Sequence, residues 1–167
     1  ANWDDYKEIE FWEKLDYAGI DAYFPLSASP SPTQDDLKEG WKIWLRDIEV
    51  WQNRIKKPVI FTECGYPSTN GAATKPWEEA MIGQPNMNIQ ADCYRAVFET
   101  FWGKEWFSGV YWWNWNTYPL SGGDKDKRFT PQNKLAAAEI KSWYGKLQGE
   151  RAAFIQQNIM DTELDER

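Results

Sequence analysis

Residues 58–67 read Pro58-Val59-Ile60-Phe61-Thr62-Glu63-Cys64-Gly65-Tyr66-Pro67. The short apolar run that starts this stretch is rich in β-branched residues, which is typical of a strand buried on both faces. The run stops at Glu63, directly before a Gly-Tyr-Pro turn. The stretch therefore predicts a buried parallel strand with a carboxylate at its carboxyl end.

The preceding stretch has the same order of strand, loop and helix. Residues 15–25 predict a short strand that ends at a proline, and a loop rich in Ser and Pro follows. Thr33 is a predicted helix N-cap, because two aspartates fall in the first turn after it, where negative charge suits the helix dipole. Apolar residues at helical spacing carry that helix to about Ile55.

The same order is repeated after Glu63. A polar loop reaches Asn86 and a helix is predicted from about Asn88 to Trp102. Residues 109–115 predict another buried strand, and a Gly- and Lys-rich loop then leads to a helix after Pro131. We expect residues 1–149 to form one domain and residues 150–167 to add a short helix with an acidic tail.

Alternating strands and helices predict an α/β fold with parallel strands joined by right-handed crossovers. Three such units fit either an open doubly wound sheet or the last part of an eight-unit barrel, which typically needs about 250 residues. No glycine-rich phosphate loop follows any of the strands, which weakens the open-sheet alternative. Each strand instead ends in a functional side chain (Tyr23, Glu63 and the cluster 113–116), as at the active-site end of a barrel.

Composition excludes several classes of function. The net charge of −7 argues against a nucleic-acid partner. The absence of histidine removes Ser-His-Asp and Cys-His catalysis, so acid–base chemistry must depend mainly on Asp and Glu. Cys64 and Cys93 have no metal-ligand spacing, and no apolar run approaches the roughly 20 residues of a membrane span.

Aromatic residues are unusually frequent, at 17% of the chain with twelve Trp. Flat rings fill cores, and they also suit the C–H face of a sugar. In the last strand, alternation places Tyr111, Trp113 and Trp115 on one side. We expect Trp113 to form the floor of a sugar site and Asn116 to bond a hydroxyl, although core packing is the commoner role of any one Trp.

Glu63 is the main candidate for chemistry. A carboxylate at the mouth of a buried strand needs partners to stay ionised, and a hydrogen bond from Tyr23 would favour and orient that form. The alternative is a solvated glutamate, or one paired with Arg or Lys. Retaining glycoside hydrolysis needs a second carboxyl group about 5–5.5 Å away. Asp21 is better explained as structural, and no convincing second carboxylate is found in the sequence.

Several segments resemble clan A glycoside hydrolases, and most closely glycoside hydrolase family 113, the β-mannanase-like barrels. The similar segments are residues 1–4, 11–25, 58–68, 109–115 and 129–134. The resemblance implies the last part of a (β/α)₈ TIM barrel, in which residues 1–3 end the fifth strand and the sixth to eighth strands follow. It implies that Glu63 is the nucleophile, that Tyr23 supports it, and that Trp113 floors the sugar site. Trp3, Trp115 and Asn116 are further candidate substrate-binding residues.

The acid/base glutamate of the family lies at the end of the fourth strand and has no counterpart here. We therefore expect a fragment, a cleaved product or one part of an assembly, completed by the N-terminal part of the barrel or by another chain, and inactive alone. The leading hypothesis is an endo-β-mannanase-like retaining hydrolase acting on oligo- or polysaccharide without metal or cofactor, in an extracellular or periplasmic setting. A non-catalytic carbohydrate-binding or structural module, and a packing protein that pairs with copies of itself, remain alternatives.

Overall fold

The computed structural model describes residues 1–79 and 84–146, and in them three parallel strands alternate with helices. The strands are β1 (Ala18–Asp21), β2 (Val59–Cys64) and β3 (Phe107–Trp112). They form one sheet in the order β1-β2-β3. Helix α1 (Gln34–Ile55) joins β1 to β2, and helix α2 (Met87–Phe101) joins β2 to β3. Residues 135–146 form helix α3 after β3.

The start of the chain continues the sheet beyond β1. Asn2 forms a parallel bridge with Asp21, and the backbone N–H of Asp21 donates to the carbonyl of Ala1 at 2.7 Å. The first two residues therefore lie beside β1 and run parallel to it. This placement agrees with the expected position of residues 1–3.

The core lies between the sheet and the helices. Alternate residues of β1 and the segment after it are fully buried (Ala18, Ile20, Ala22, Phe24), as expected when one face of a strand packs on helices. From β2, Phe61 packs on Trp41 of α1 at 6.0 Å and on Phe101 of α2 at 4.9 Å between ring centroids. Most of the aromatic side chains on the helix-covered face of the sheet therefore fill the core.

Helix α1 begins as predicted from its cap. The Thr33 hydroxyl accepts from the backbone N–H of Asp36, and the Asp36 carboxylate accepts from the backbone N–H of Thr33, which is a capping box. The Asp36 carboxylate accepts from both the backbone N–H and the hydroxyl of Thr33, and these two hydrogen bonds lower the pKa of Asp36. The helix ends at Ile55, and Lys56 follows in the left-handed conformation, so both predicted bounds are confirmed.

Strand β3 differs from the prediction. It occupies residues 107–112 rather than 109–115, because its register with β2 pairs Phe107 with Val59 and Trp112 with Cys64. The prediction that it is buried is also wrong: none of its residues is buried, and Tyr111 is 66% exposed. Among the described residues only β2 pairs with it, so its outer edge and the face that carries Tyr111 have no cover.

Strand β1 is shorter than the predicted stretch 15–25, since residues 15–17 form a bend outside the sheet. The predicted domain boundary at residue 149 and the extra helix at 150–167 lie outside the described residues. Within residues 1–79 and 84–146, no helix is long and apolar enough to cross a membrane.

Candidate active site

The carboxyl ends of β1 and β2 bring Tyr23 and Glu63 together. The Tyr23 hydroxyl donates to Oε2 of Glu63 at 2.9 Å. Both side chains are half-buried, so part of the pair is accessible to solvent. The hydrogen bond suggested by the sequence is therefore present, and it fixes one carboxylate oxygen relative to the tyrosine ring.

Tyr23 is held as a hydrogen-bond donor. Its pKa is raised well above the ordinary value for tyrosine, first by burial and then by the hydrogen bond to Glu63 and the negative charge of that group. A phenol that keeps its proton at every physiological pH continues to donate to the carboxylate. Such a charge-assisted hydrogen bond is stronger than one between neutral groups.

The other carboxylate near this pair has a different partner. Oδ1 of Asp21 accepts from the Thr62 hydroxyl at 2.8 Å, which ties β1 to β2 below the Tyr23–Glu63 pair. This contact agrees with a structural role for Asp21. Within residues 1–79 and 84–146, no ion pair includes Glu63, so the alternative of a glutamate paired with Arg or Lys finds no support there.

Trp113 lies immediately after β3, where its backbone touches the segment that follows Glu63. Its backbone N–H donates to the carbonyl of Cys64 at 2.8 Å. A Cβ added to Gly65 would lie 2.0 Å from the Trp113 carbonyl oxygen, so only glycine permits this approach. The peptide bond between Trp113 and Asn114 is cis. The Trp113 side chain is 44% exposed, which leaves indole surface available to a ligand.

The remaining candidate binding residues lie in two places. Trp115 is 59% exposed, and the backbone N–H of Asn116 donates to Oε1 of Gln132 at 2.7 Å, so both extend the aromatic segment after β3. Trp3 packs on Trp77 at 5.2 Å between ring centroids, and also on Phe24 and Trp44. Its ring contacts within the described residues thus place it in a separate aromatic cluster beside β1.

The sequence did not identify Phe129 and Lys134 as parts of this site. Phe129 is buried and packs edge-on against the Tyr23 ring, with 6.3 Å between ring centroids. Lys134 is buried and its ammonium bonds Asp126 and Ser68 at 2.9 Å each. Residues 129–134 resembled the lead-in to the last helix, but nothing in their types or spacing indicated a buried lysine.

No group of three or more Cys, Asp and Glu side chains within residues 1–79 and 84–146 is placed to hold a metal ion. What the arrangement offers is an oriented carboxylate and a phenol donor, with the exposed Trp113 on the segment that packs against Gly65. A carboxylate so placed can act as a nucleophile or a base.

Parallel βα units with their functional side chains at the carboxyl ends of the strands define one part of a (β/α)₈ barrel, of the type found in clan A glycoside hydrolases. The model of Glycoside Hydrolase Family 113 matches residues 1–134. The chain belongs to this family.

Solved structures agree with this assignment. A family 113 β-1,4-mannanase superposes with a TM-score of 0.73 at 26% identity, over 87% of this chain and 44% of that chain. The family 113 β-mannanase AaManA from Alicyclobacillus acidocaldarius gives 0.71 at 22% identity over the same shares. A Faecalibacterium prausnitzii β-glucuronidase gives 0.56 at 18%, over 87% of this chain and 24% of that one. The two lower identities indicate a shared fold alone.

The chain thus spans less than half the length of the mannanases that it matches. The search of curated proteins found no match.

Proposed function

We propose that this chain is the nucleophile-bearing part of a retaining glycoside hydrolase that cleaves internal β-linkages of a mannan-type polysaccharide. The observation that carries the proposal is the 2.9 Å hydrogen bond from Tyr23 to Glu63 at the carboxyl ends of adjacent parallel strands. Membership of family 113 and the mannanase name of a 26%-identical structure support the substrate class.

In the proposed reaction, the Glu63 carboxylate attacks the anomeric carbon while the bond from that carbon to the leaving oxygen breaks. The leaving oxygen takes a proton from a carboxylic acid, which becomes the base for the second step. Water then adds to the anomeric carbon, loses a proton to that base, and releases the sugar and the Glu63 carboxylate. Tyr23 orients the nucleophile throughout. Like retaining hydrolysis in general, these steps need neither metal nor cofactor.

The acid/base group is proposed to come from outside this chain, from the strands that precede Ala1–Asn2 in a complete barrel. General acid–base help is typically worth about 10²–10⁴-fold, so the chain alone is expected to be inactive on polysaccharide. Three features support completion by a further part of a barrel: the outer edge of β3, which pairs with no residue in the described part of the chain, the exposed Tyr111, and the 44% share of the related mannanase. We propose an extracellular or periplasmic setting, because a polymeric substrate is met there.

The test separates the nucleophile from the missing acid. A 2-deoxy-2-fluoro-β-mannoside with a 2,4-dinitrophenolate leaving group needs no protonation and leaves the glycosyl-enzyme trapped. The chain is incubated with it alone and after mixing with the separately produced N-terminal strands of a family 113 β-1,4-mannanase. Peptide mapping by mass spectrometry is expected to find the fluoroglycosyl group on Glu63. Glu63→Gln removes the label, and the matched control Glu10→Gln, at an exposed glutamate, keeps it.

A label on another residue, or no label in either sample, contradicts the proposed nucleophile. One combination favours the alternative of a non-catalytic carbohydrate-binding module: mannotriose binds to the chain, but no covalent product forms. The exposed aromatic side chains after β3 are the observation behind that alternative, since Trp115 is 59% and Tyr118 is 62% exposed.

A further inference from the structure

Phe129 fills the space beside the Tyr23–Glu63 pair. It is 4% exposed, and its ring meets the Tyr23 ring edge-on at an interplanar angle of 84°. On the other side, a Cβ added to Gly65 would lie 3.3 Å from Cδ1 of Phe129. The ring is therefore packed between the tyrosine that donates to Glu63 and the backbone that follows Glu63.

A buried glutamine fixes the backbone of Phe129. Nε2 of Gln90, a fully buried residue of α2, donates to the Phe129 carbonyl at 2.9 Å and to the Tyr66 carbonyl at 2.8 Å. Tyr66 follows Gly65 on the segment after β2. One amide group thus ties the segment that carries Glu63 to the segment that carries Phe129.

A buried lysine fixes the residues that precede Phe129. The side chain of Lys134 is fully buried, and its Nζ donates to Oγ of Ser68 at 2.9 Å, Oδ1 of Asp126 at 2.9 Å and the carbonyl of Arg128 at 2.8 Å. These contacts use all three N–H donors of the ammonium. Burial lowers the pKa of Lys134, and Asp126 opposes that shift.

The desolvation cost of a buried ion pair cancels much of its attraction, so the pair is a poor way to gain stability. Its attested use is to specify one arrangement among several. In this protein the arrangement that it specifies is the position of residues 126–129 against the loop after β2, because the lysine bonds both segments.

We propose that Phe129 is a positioning residue: its ring braces Tyr23 so that the hydroxyl meets Glu63, and the buried contacts of Lys134 and Gln90 hold the ring in place. The consequence for catalysis rests on the function proposed above. The bracing itself concerns only the orientation of Tyr23, and it is measurable without turnover.

The first measurement follows Tyr23 by NMR in the full chain labelled with ring-¹³C tyrosine, with the Tyr23 signal assigned by its loss in Tyr23→Phe. Phe129→Leu is expected to move that signal. The matched control Phe98→Leu truncates a buried ring that packs on Trp112 and Trp143, and it leaves the Tyr23 signal in place. Both variants lower the melting temperature, and loss of the Phe129 ring current shifts the Tyr23 signal by itself, so a moved signal is assigned to positioning only when the double variant Lys134→Met with Asp126→Leu, which keeps the ring, also moves it. An unmoved Tyr23 signal in folded Phe129→Leu overturns the proposal.

The second variant removes the pair of Lys134 with Asp126, together with the contacts of Asp126 to Arg128, and leaves no buried charge because the Arg128 side chain is 60% exposed. Lys134→Met combined with Asp126→Leu is expected to move the Tyr23 signal as Phe129→Leu does. The control Lys104→Met breaks a half-exposed ion pair with Glu49 and leaves that signal unchanged. If Phe129→Leu does not fold, this double variant decides the question, and an unmoved signal in it also overturns the proposal.

The labelling of Glu63 then connects bracing to catalysis. Both site variants are expected to label more slowly, by up to about 10²-fold, because a misplacement of about 1 Å costs that much. Their dissociation constant for mannotriose is expected to stay within about 2-fold of that of the wild-type chain. The reason is that neither variant changes the contacts that hold the sugar equally in the ground state and the transition state. Failure of the wild-type chain to label counts against the proposed function alone; normal labelling rates in both variants count against the positioning role alone.

Discussion

Tyr23 reaches Glu63 from two residues beyond the end of β1. Asp21 is the Cα partner of Glu63 in the parallel register of β1 and β2, and the hydroxyl of Tyr23 meets Oε2 of Glu63 at 2.9 Å. The register shifts between Ile20 and Asp21. Beyond that shift, the side chain of Asp21 accepts a hydrogen bond from the Thr62 hydroxyl. The Glu63 carboxylate accepts from Tyr23 instead.

Tyr23→Phe removes the hydroxyl donor and leaves the ring in its packing place. Hydrogen bonds to charged groups contribute about 1.5–3 kcal/mol, so we expect labelling of Glu63 by the fluoromannoside to slow by about 10- to 10²-fold. Pre-steady-state mass spectrometry of the intact chain measures the rate. The control is Tyr17→Phe, at a tyrosine that is 53% exposed outside the sheet. Equal rates in Tyr23→Phe and wild type would remove Tyr23 from the proposed mechanism.

Trp113→Ala tests the predicted floor of the sugar site. The indole is 44% exposed, and the contacts that tie this residue to the segment after Glu63 are made by its backbone, so truncation is expected to leave the fold in place. We expect mannotriose binding to weaken by about 0.5–1.5 kcal/mol, the magnitude of a ring-face contact. Isothermal titration calorimetry measures it, with Phe11→Ala as the control, at an aromatic residue that is 53% exposed and packs on Trp12. A loss in Phe11→Ala as large as that in Trp113→Ala would place the sugar elsewhere.

Local patterns predicted the order of elements well. The β-branched run before Glu63, the Thr33 cap and the apolar spacing of α1 are short-range features, and their bounds agree with the structure to within a few residues. The end of β3 was misplaced because an aromatic run continues past Trp112, whereas the strand stops where its pairing with β2 stops. Strand pairing is a long-range property that composition does not encode.

The site was predictable only in part, for the same reason. Tyr23 and Glu63 stand at strand ends, and parallel strand ends meet, so their proximity followed from the pattern. The brace on Tyr23 depends on Phe129, which lies 106 residues further along the chain (129 − 23), and on a lysine buried by three partners. A lysine in a polar loop is normally solvated, so the residue type of Lys134 predicted an exposed side chain.

Gly65→Ala is predicted to separate the ends of β2 and β3. The new Cβ would lie 2.0 Å from the Trp113 carbonyl oxygen. Because that oxygen belongs to the backbone, no side-chain rotation can relieve the clash. We expect a loss of about 1–3 kcal/mol in the free energy of unfolding, as for overpacked cores, together with slower labelling of Glu63. Gly145→Ala is the matched control, because it lies in α3 with open space around it and should gain about 0.5–1 kcal/mol. Urea unfolding of both variants measures the difference, and an unchanged Gly65→Ala would contradict the close approach.

Stability is predicted to fall in mild alkali. Burial raises the pKa of Cys64 and Cys93 above their ordinary value of 9.0, and the pKa of Tyr66 and Tyr94 above 10.0. The unfolded chain releases these protons near the ordinary values while the folded chain keeps them, so above about pH 9 the folded state binds more protons and unfolding becomes easier as pH rises. Lys134, whose pKa is lowered by burial, acts in the opposite sense, but burial also raises the pKa of Tyr6, Tyr23 and Tyr144, so the groups that favour the fall outnumber it.

Replacement of one cysteine isolates the effect. Cys93→Ala removes one buried thiol on α2, on the far side of the sheet from the exposed Tyr111, and should flatten the fall in unfolding free energy above pH 9 by about 1.4 kcal/mol per pH unit. Urea titrations of reduced wild type and variant at pH 7.5, 9 and 10 measure the two slopes. Identical slopes would mean that Cys93 loses its proton in the folded chain as readily as in the unfolded one, because only a difference in proton binding between the two states makes stability depend on pH.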